Sequence, residues 1–153
     1  MGSFFCNCLS SQLSLSSSNN DLTMSTPVDM LTALDILEIK YDVSTKKRNY
    51  IETDKGKIIY RFSRRYDTGD EWWTCETPER MLEVDYIVIY LDTYGIVVVP
   101  SNLLYQYGKD NDVKYLKGGR QAIRVRPEGS YPVIYNKKDD PILNLSPYFY
   151  PLD

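Results

Sequence analysis

The charged residues best placed for chemistry lie near position 40. From Leu37 the chain alternates, with Leu37, Ile39, Tyr41 and Val43 on one side and Glu38, Lys40 and Asp42 on the other, the period of a half-buried strand. On such a strand Glu38 and Lys40 project from one face about 7 Å apart. With a second acidic group nearby, a carboxylate and an ammonium held that close suit a Mg²⁺ ion that keeps several of its waters. One such water attacks phosphorus while the lysine orients it or stabilises the charge building on the phosphate. The plainer alternative is an exposed strand with Glu38 and Lys40 in water.

Pro27-Val28-Asp29 followed by Glu38-Ile39-Lys40 resembles the motif of the PD-(D/E)XK nuclease superfamily, an Asp followed by a strand bearing (D/E)-x-K. EIKYD at 38–42, RNYIE at 48–52 and DYIVIYLDTYGIVVVPSNLL at 85–104 are similar to phage-type members, so the resemblance spans residues 27–105. It implies a restriction-endonuclease-like α+β core, with a mixed central sheet, short flanking helices and a truncated N-terminal helix. It also implies Mg²⁺-dependent hydrolysis of nucleic acid, with Asp29 and Glu38 as metal ligands and Lys40 positioning the water. Asn49 and Glu52 would support the site from the neighbouring strand, and Asp35 competes for the role of Asp29. If residues 27–36 are helical, Asp29 points away and the site is incomplete, leaving a degenerate nuclease fold that only binds.

Charge is distributed unevenly around the formal net charge of −3. Residues 40–65 hold nine Lys/Arg against three Asp/Glu, residues 66–92 hold eight acidic residues against Arg80 alone, and residues 101–138 hold eight basic against three acidic. Basic segments flanking an acidic one make a phosphate-attracting surface if the fold joins them, and a set of solvated strand faces if it does not. On the first reading Lys46, Lys47, Arg48, Arg64 and Arg65 contact nucleic-acid phosphates, with salt-sensitive binding. Histidine is absent, which excludes His-based triads and His-ligated zinc. Three cysteines, Cys6, Cys8 and Cys75, are too few for a disulfide framework or a four-ligand zinc site and point to a reduced, intracellular chain.

Residues 1–26 contain eight serines and no Lys or Arg, the composition of a flexible leader ahead of one α+β domain over 27–145 and a tail over 146–153. Met24 is an alternative start. The opening MGSFFCNC offers a second function class, a non-enzymatic accessory or interaction protein of the kind viruses carry. Gly2 would be myristoylated and Cys6 or Cys8 palmitoylated, because one acyl chain alone holds a membrane marginally. Such a protein would sit on the inner membrane face.

The elements that must position these groups follow from the apolar pattern. Thr26-Pro27-Val28-Asp29 reads as a helix start or an extended lead-in. Residues 49–53 and 57–63 read as strands joined at Asp54-Lys55-Gly56, with Ile58, Tyr60 and Phe62 on one face. Residues 64–77 read as irregular, with a turn at Thr68-Gly69-Asp70, and residues 78–84 as a short helix. Residues 85–91 and 95–99 are almost continuously apolar, as strands covered on both faces are. A short helix, strands at 122–126 and 131–136, and a draped tail from Pro141 complete the chain. Trp72-Trp73 is a candidate base-stacking pair but more simply one core and one surface ring. Lys117-Gly118-Gly119-Arg120 reads as a tight turn, and Glu76 and Glu79 beside Cys75 argue against a nucleophilic thiol.

Overall fold

A computed structural model describes residues 28–65 and 71–152. Asp29 opens the first helix, α1 (Met30–Ile36), and its side chain accepts a hydrogen bond from the Thr32 amide at 2.8 Å. A carboxylate there satisfies an amide with no partner inside the helix. The helix closes on Leu37, after which Glu38 takes a left-handed φ of 60°. The Glu38 amide donates to the Asp35 carbonyl at 3.0 Å and the Ile39 amide to the Leu34 carbonyl at 2.9 Å. This pair of bonds is a Schellman stop, and the buried side chains of Leu34 and Ile39 share one cluster, the apolar contact that accompanies such stops.

The expected strand from Leu37 is therefore corrected: only Tyr41–Asp42 forms a strand, β1. Leu37 and Ile39 face the core because the helix end turns them there. Glu38 and Lys40 are exposed residues of the turn and linker, not neighbours on a strand face.

The chain then builds β2 (Tyr50–Thr53) and β3 (Gly56–Phe62) as an antiparallel hairpin. After β4 (Arg64–Arg65) and β5 (Trp72–Glu76), the helix α2 (Pro78–Glu83) leads into β6 (Tyr86–Leu91), which runs parallel to β3. β7 (Gly95–Pro100) returns antiparallel to β6 and continues into α3 (Ser101–Asp110). β8 (Tyr115–Leu116), β9 (Arg120–Glu128), β10 (Tyr131–Tyr135), β11 (Pro141–Asn144) and β12 (Phe149–Pro151) follow. The first sheet has the order β1-β2-β3-β6-β7-β12 and is mixed; the second has the order β11-β10-β9-β5-β4, with β8 on β9. The chain is thus α+β, with short helices.

The central strands are covered on both faces, as their continuous apolar runs predicted. Val88, Tyr90, Ile96 and Val98 face α1, packing with Ala33, Leu34, Ile51 and Ile58. Ile87, Ile89, Val97 and Val99 face the other way, against Trp72, Ile123, Val125 and Ile134 of the second sheet and Leu104 of α3. Three layers result: α1, the first sheet, and the second sheet with α2 and α3.

Two expected loops turn out to be strands. The stretch read as irregular holds β5, whose Trp72 is buried while Trp73 is half-buried, as alternation requires. The tail from Pro141 does not merely drape, since β11 pairs with β10 and β12 pairs with β7 at the sheet edge. An edge position tolerates Pro151, which lacks an amide to donate. The fold consequently extends past residue 145. Among the described residues no helix is long and apolar enough to cross a membrane.

Candidate functional site

An open cleft of about 800 Å³ lies beside the N-terminus of α1. Four pieces of chain build it. The loop ahead of β2 contributes Lys46, Lys47, Arg48 and Asn49, the end of β3 contributes Tyr60, Arg61 and Phe62, and α2 contributes Arg80. Asp29, Met30 and Leu31 form its far wall. A second hollow shares Lys47 and Arg80 and is also lined by Tyr50, Lys57, Glu83 and Val84.

Each piece is held for a reason legible in the chain. The Lys46 amide donates to the Val43 carbonyl at 3.1 Å and the Lys47 amide to the Tyr50 carbonyl at 2.8 Å, which folds the basic loop back on its own strand. The Tyr60 amide donates to the Asn49 carbonyl at 2.8 Å. The Tyr60 hydroxyl donates to the Val28 carbonyl and so ties the lead-in of α1 to the cleft floor. Burial raises the Tyr60 phenol far above its ordinary pKa, so it remains a neutral donor. Thr77 caps α2 through the Arg80 amide at 3.2 Å, which places Arg80 in the first turn.

The electrostatics are one-sided. Lys46, Lys47, Arg48, Arg61 and Arg80 face the cleft against a single lining carboxylate, Asp29. Of the five cations only Arg61 has an ion-pair partner among the described residues: its guanidinium binds Glu76 of β5, with Nε at 2.9 Å. Glu76 is 2% exposed and also accepts from the Thr77 amide at 3.1 Å. Asp29 is held below the usual carboxylate range by the amide and hydroxyl of Thr32, more than by nearby Lys46. It stays ionised without cancelling the cationic wall. The floor is apolar: Phe62 stacks on buried Tyr90 with centroids 5.9 Å apart, and Met30 and Leu31 stand opposite.

The residues singled out from sequence divide between this cleft and open surface. Lys46, Lys47, Arg48 and Asn49 line it, and Asp29 borders it. Arg64 and Arg65 form β4, and their side chains lie outside what is described. Asp35 accepts from the Tyr41 hydroxyl at 3.1 Å. Glu52 is exposed on β2, and neither Glu38 nor Lys40 borders the cleft. A Mg²⁺ ion needs several oxygen donors converging on one point. Among the described residues no three acidic, Cys or His side chains come close enough to hold an ion. Gly2, Cys6, Cys8, Met24 and the turn at 68–70 lie outside the described residues.

Sequence reading did not single out Arg80 or the pairing of Arg61 with Glu76. The signal for Arg80 was the helix start Thr77-Pro78-Glu79-Arg80, which fixes a lone cation in the first turn of an element inside an acidic stretch. The chain matches no family model, no curated protein and no solved structure.

Proposed function

We propose that this domain binds nucleic acid through the cleft between α1 and the β2–β3 hairpin, with Lys46, Lys47, Arg48 and Arg80 taking backbone phosphates. The observation that carries this reading is a concave surface on which four cations, with no salt bridge among the described residues, face one lining carboxylate. Low-dielectric walls around charges of one sign concentrate the field and draw in a polyanion. Guanidinium groups also match phosphate oxygens in a bidentate fork. Within the resemblance to PD-(D/E)XK nucleases, this is the degenerate form that binds without a metal site built from Asp29, Glu38 and Lys40.

The test is fluorescence anisotropy with a labelled 20-nucleotide strand, comparing the parent with Lys47→Ala/Arg80→Ala. Binding that weakens at least ten-fold in the double variant supports the reading; equal binding by both refutes it. The hydrolytic alternative is checked in the same samples with Mg²⁺ added. Cleavage by the parent that disappears in Lys40→Ala would restore Asp29, Glu38 and Lys40 as a catalytic set.

A further inference from the structure

The second hollow carries the charge of the cleft onto another side of the molecule. It encloses about 550 Å³ and meets the cleft at Lys47 and Arg80, which line both. Beyond that shared ridge it presents Lys57 against one lining carboxylate, Glu83, and neither takes part in an ion pair among the described residues. Backbone bonds fix the position of Lys57. Its amide donates to Oδ2 of Asp85 at 2.8 Å and its carbonyl accepts from the Asp85 amide at 2.8 Å. The start of β3 is thereby held beside the end of α2, on which Arg80 and Glu83 stand three residues apart on one helical face. The exposed Lys57 side chain is left to reach a ligand.

The two hollows are backed by different sides of the first sheet. Met30 and Tyr60 of the cleft belong to the core under α1, whereas Val84 of the second hollow belongs to the core between the sheets and Tyr50 packs against it. A small anion occupies one hollow or the other. Only a chain with charges repeated along it meets Arg48 at one end and Lys57 at the other.

We propose that a bound nucleic-acid strand leaves the cleft over the ridge of Lys47 and Arg80 and enters the second hollow, where Lys57 takes one further backbone phosphate. This rests on the nucleic-acid reading above and adds the length and path of its ligand. Four phosphates fill the cleft, and the fifth lies in a hollow whose low-dielectric wall of Tyr50 and Val84 focuses the field of Lys57. Its volume falls in the range of pockets that enclose compact ligands, roughly 300–1,000 Å³, which gives room for the nucleotide carrying that phosphate. Glu83 opposes the phosphate and limits the gain.

The experiment compares labelled strands of 5 and 20 nucleotides by anisotropy with the full chain. The short strand has four phosphates and should show the salt slope of four contacts; the long one reaches Lys57. In the parent the slope of log K against log salt should be steeper for the long strand by about 0.7, the increment of one phosphate contact. Lys57→Ala should remove that increment and weaken the long strand about three-fold, and Lys57→Glu should weaken it about ten-fold. Glu83→Gln should tighten it about three-fold, and all three variants should leave the short strand as in the parent. Both side chains are exposed, so thermal melting should find the variants folded, and Glu83→Gln carries the test if a Lys57 variant is not. Equal slopes for the two lengths, or a Lys57 or Glu83 effect of the same size on both strands, would overturn the path and leave binding by the cleft standing. Failure of both strands to bind the parent would remove the nucleic-acid reading itself.

Discussion

Glu38 offers a sharp separation between a structural and a chemical role. It occupies the left-handed position that ends α1, with φ 60°, and its exposed carboxylate makes no hydrogen bond or ion pair among the described residues. An L-residue in that conformation costs roughly 1–2 kcal/mol, which glycine avoids. Glycine also gives the unfolded chain more freedom, worth about 0.4–1 kcal/mol in the opposite direction. The balance for Glu38→Gly is a gain of about 0.5–1 kcal/mol, or a rise in Tm of roughly 2–5 °C for a domain of this size. The stop itself survives, because its bonds use only the Glu38 and Ile39 amides and the Asp35 and Leu34 carbonyls. Urea denaturation and thermal melting read the gain, and strand binding should be unchanged. A fall in stability, or loss of a Mg²⁺-dependent cleavage present in the parent, would refute the assignment of Glu38 to helix termination.

Glu76→Gln leaves the Arg61 guanidinium, its side chain 16% exposed, without its counter-charge, and should destabilise by about 2–3 kcal/mol; replacing both residues by Met should restore most of this. Gly108→Ala in α3 should destabilise by about 1–3 kcal/mol although alanine favours helices, because its Cβ would lie 2.0 Å from Oε1 of buried Gln121; chemical denaturation checks both. Glu71 is pushed up by burial, yet hydrogen bonds from Arg124 and Arg126 bring it below the ordinary carboxylate value. Its stabilising contribution is therefore complete above about pH 4.5 and lost as pH falls through its lowered folded pKa. Glu71→Gln should flatten that part of the acid-unfolding curve, and an unchanged profile would count against the network.

The elements legible in the chain were those whose pattern reports one environment. The continuous apolar runs at 86–91 and 95–99 could only be strands sealed on both sides. Ile58, Tyr60 and Phe62 alternate because β3 has one face on α1. The pattern at Leu37, Ile39 and Tyr41 misled because a Schellman stop also brings residues two apart to the core, and nothing in residue type marks Glu38 as left-handed where glycine would. The basic loop at 46–48 was visible as charge, but its partner cation Arg80 was hidden inside an acidic stretch. Only the tertiary fold, which sets Arg80 of α2 on the same cleft as the loop, brings the two together, and that long-range relation has no local signature.

Salt dependence tests the cationic cleft most directly, since four phosphate contacts by Lys46, Lys47, Arg48 and Arg80 fix its size. For a single strand the slope of log K against log salt should be about −2.8, a loss of roughly fifty-fold between 50 and 200 mM salt. It should fall to about −1.4 in Lys47→Ala/Arg80→Ala. A slope near zero, or one that the double variant leaves unaltered, would contradict phosphate recognition by this cleft.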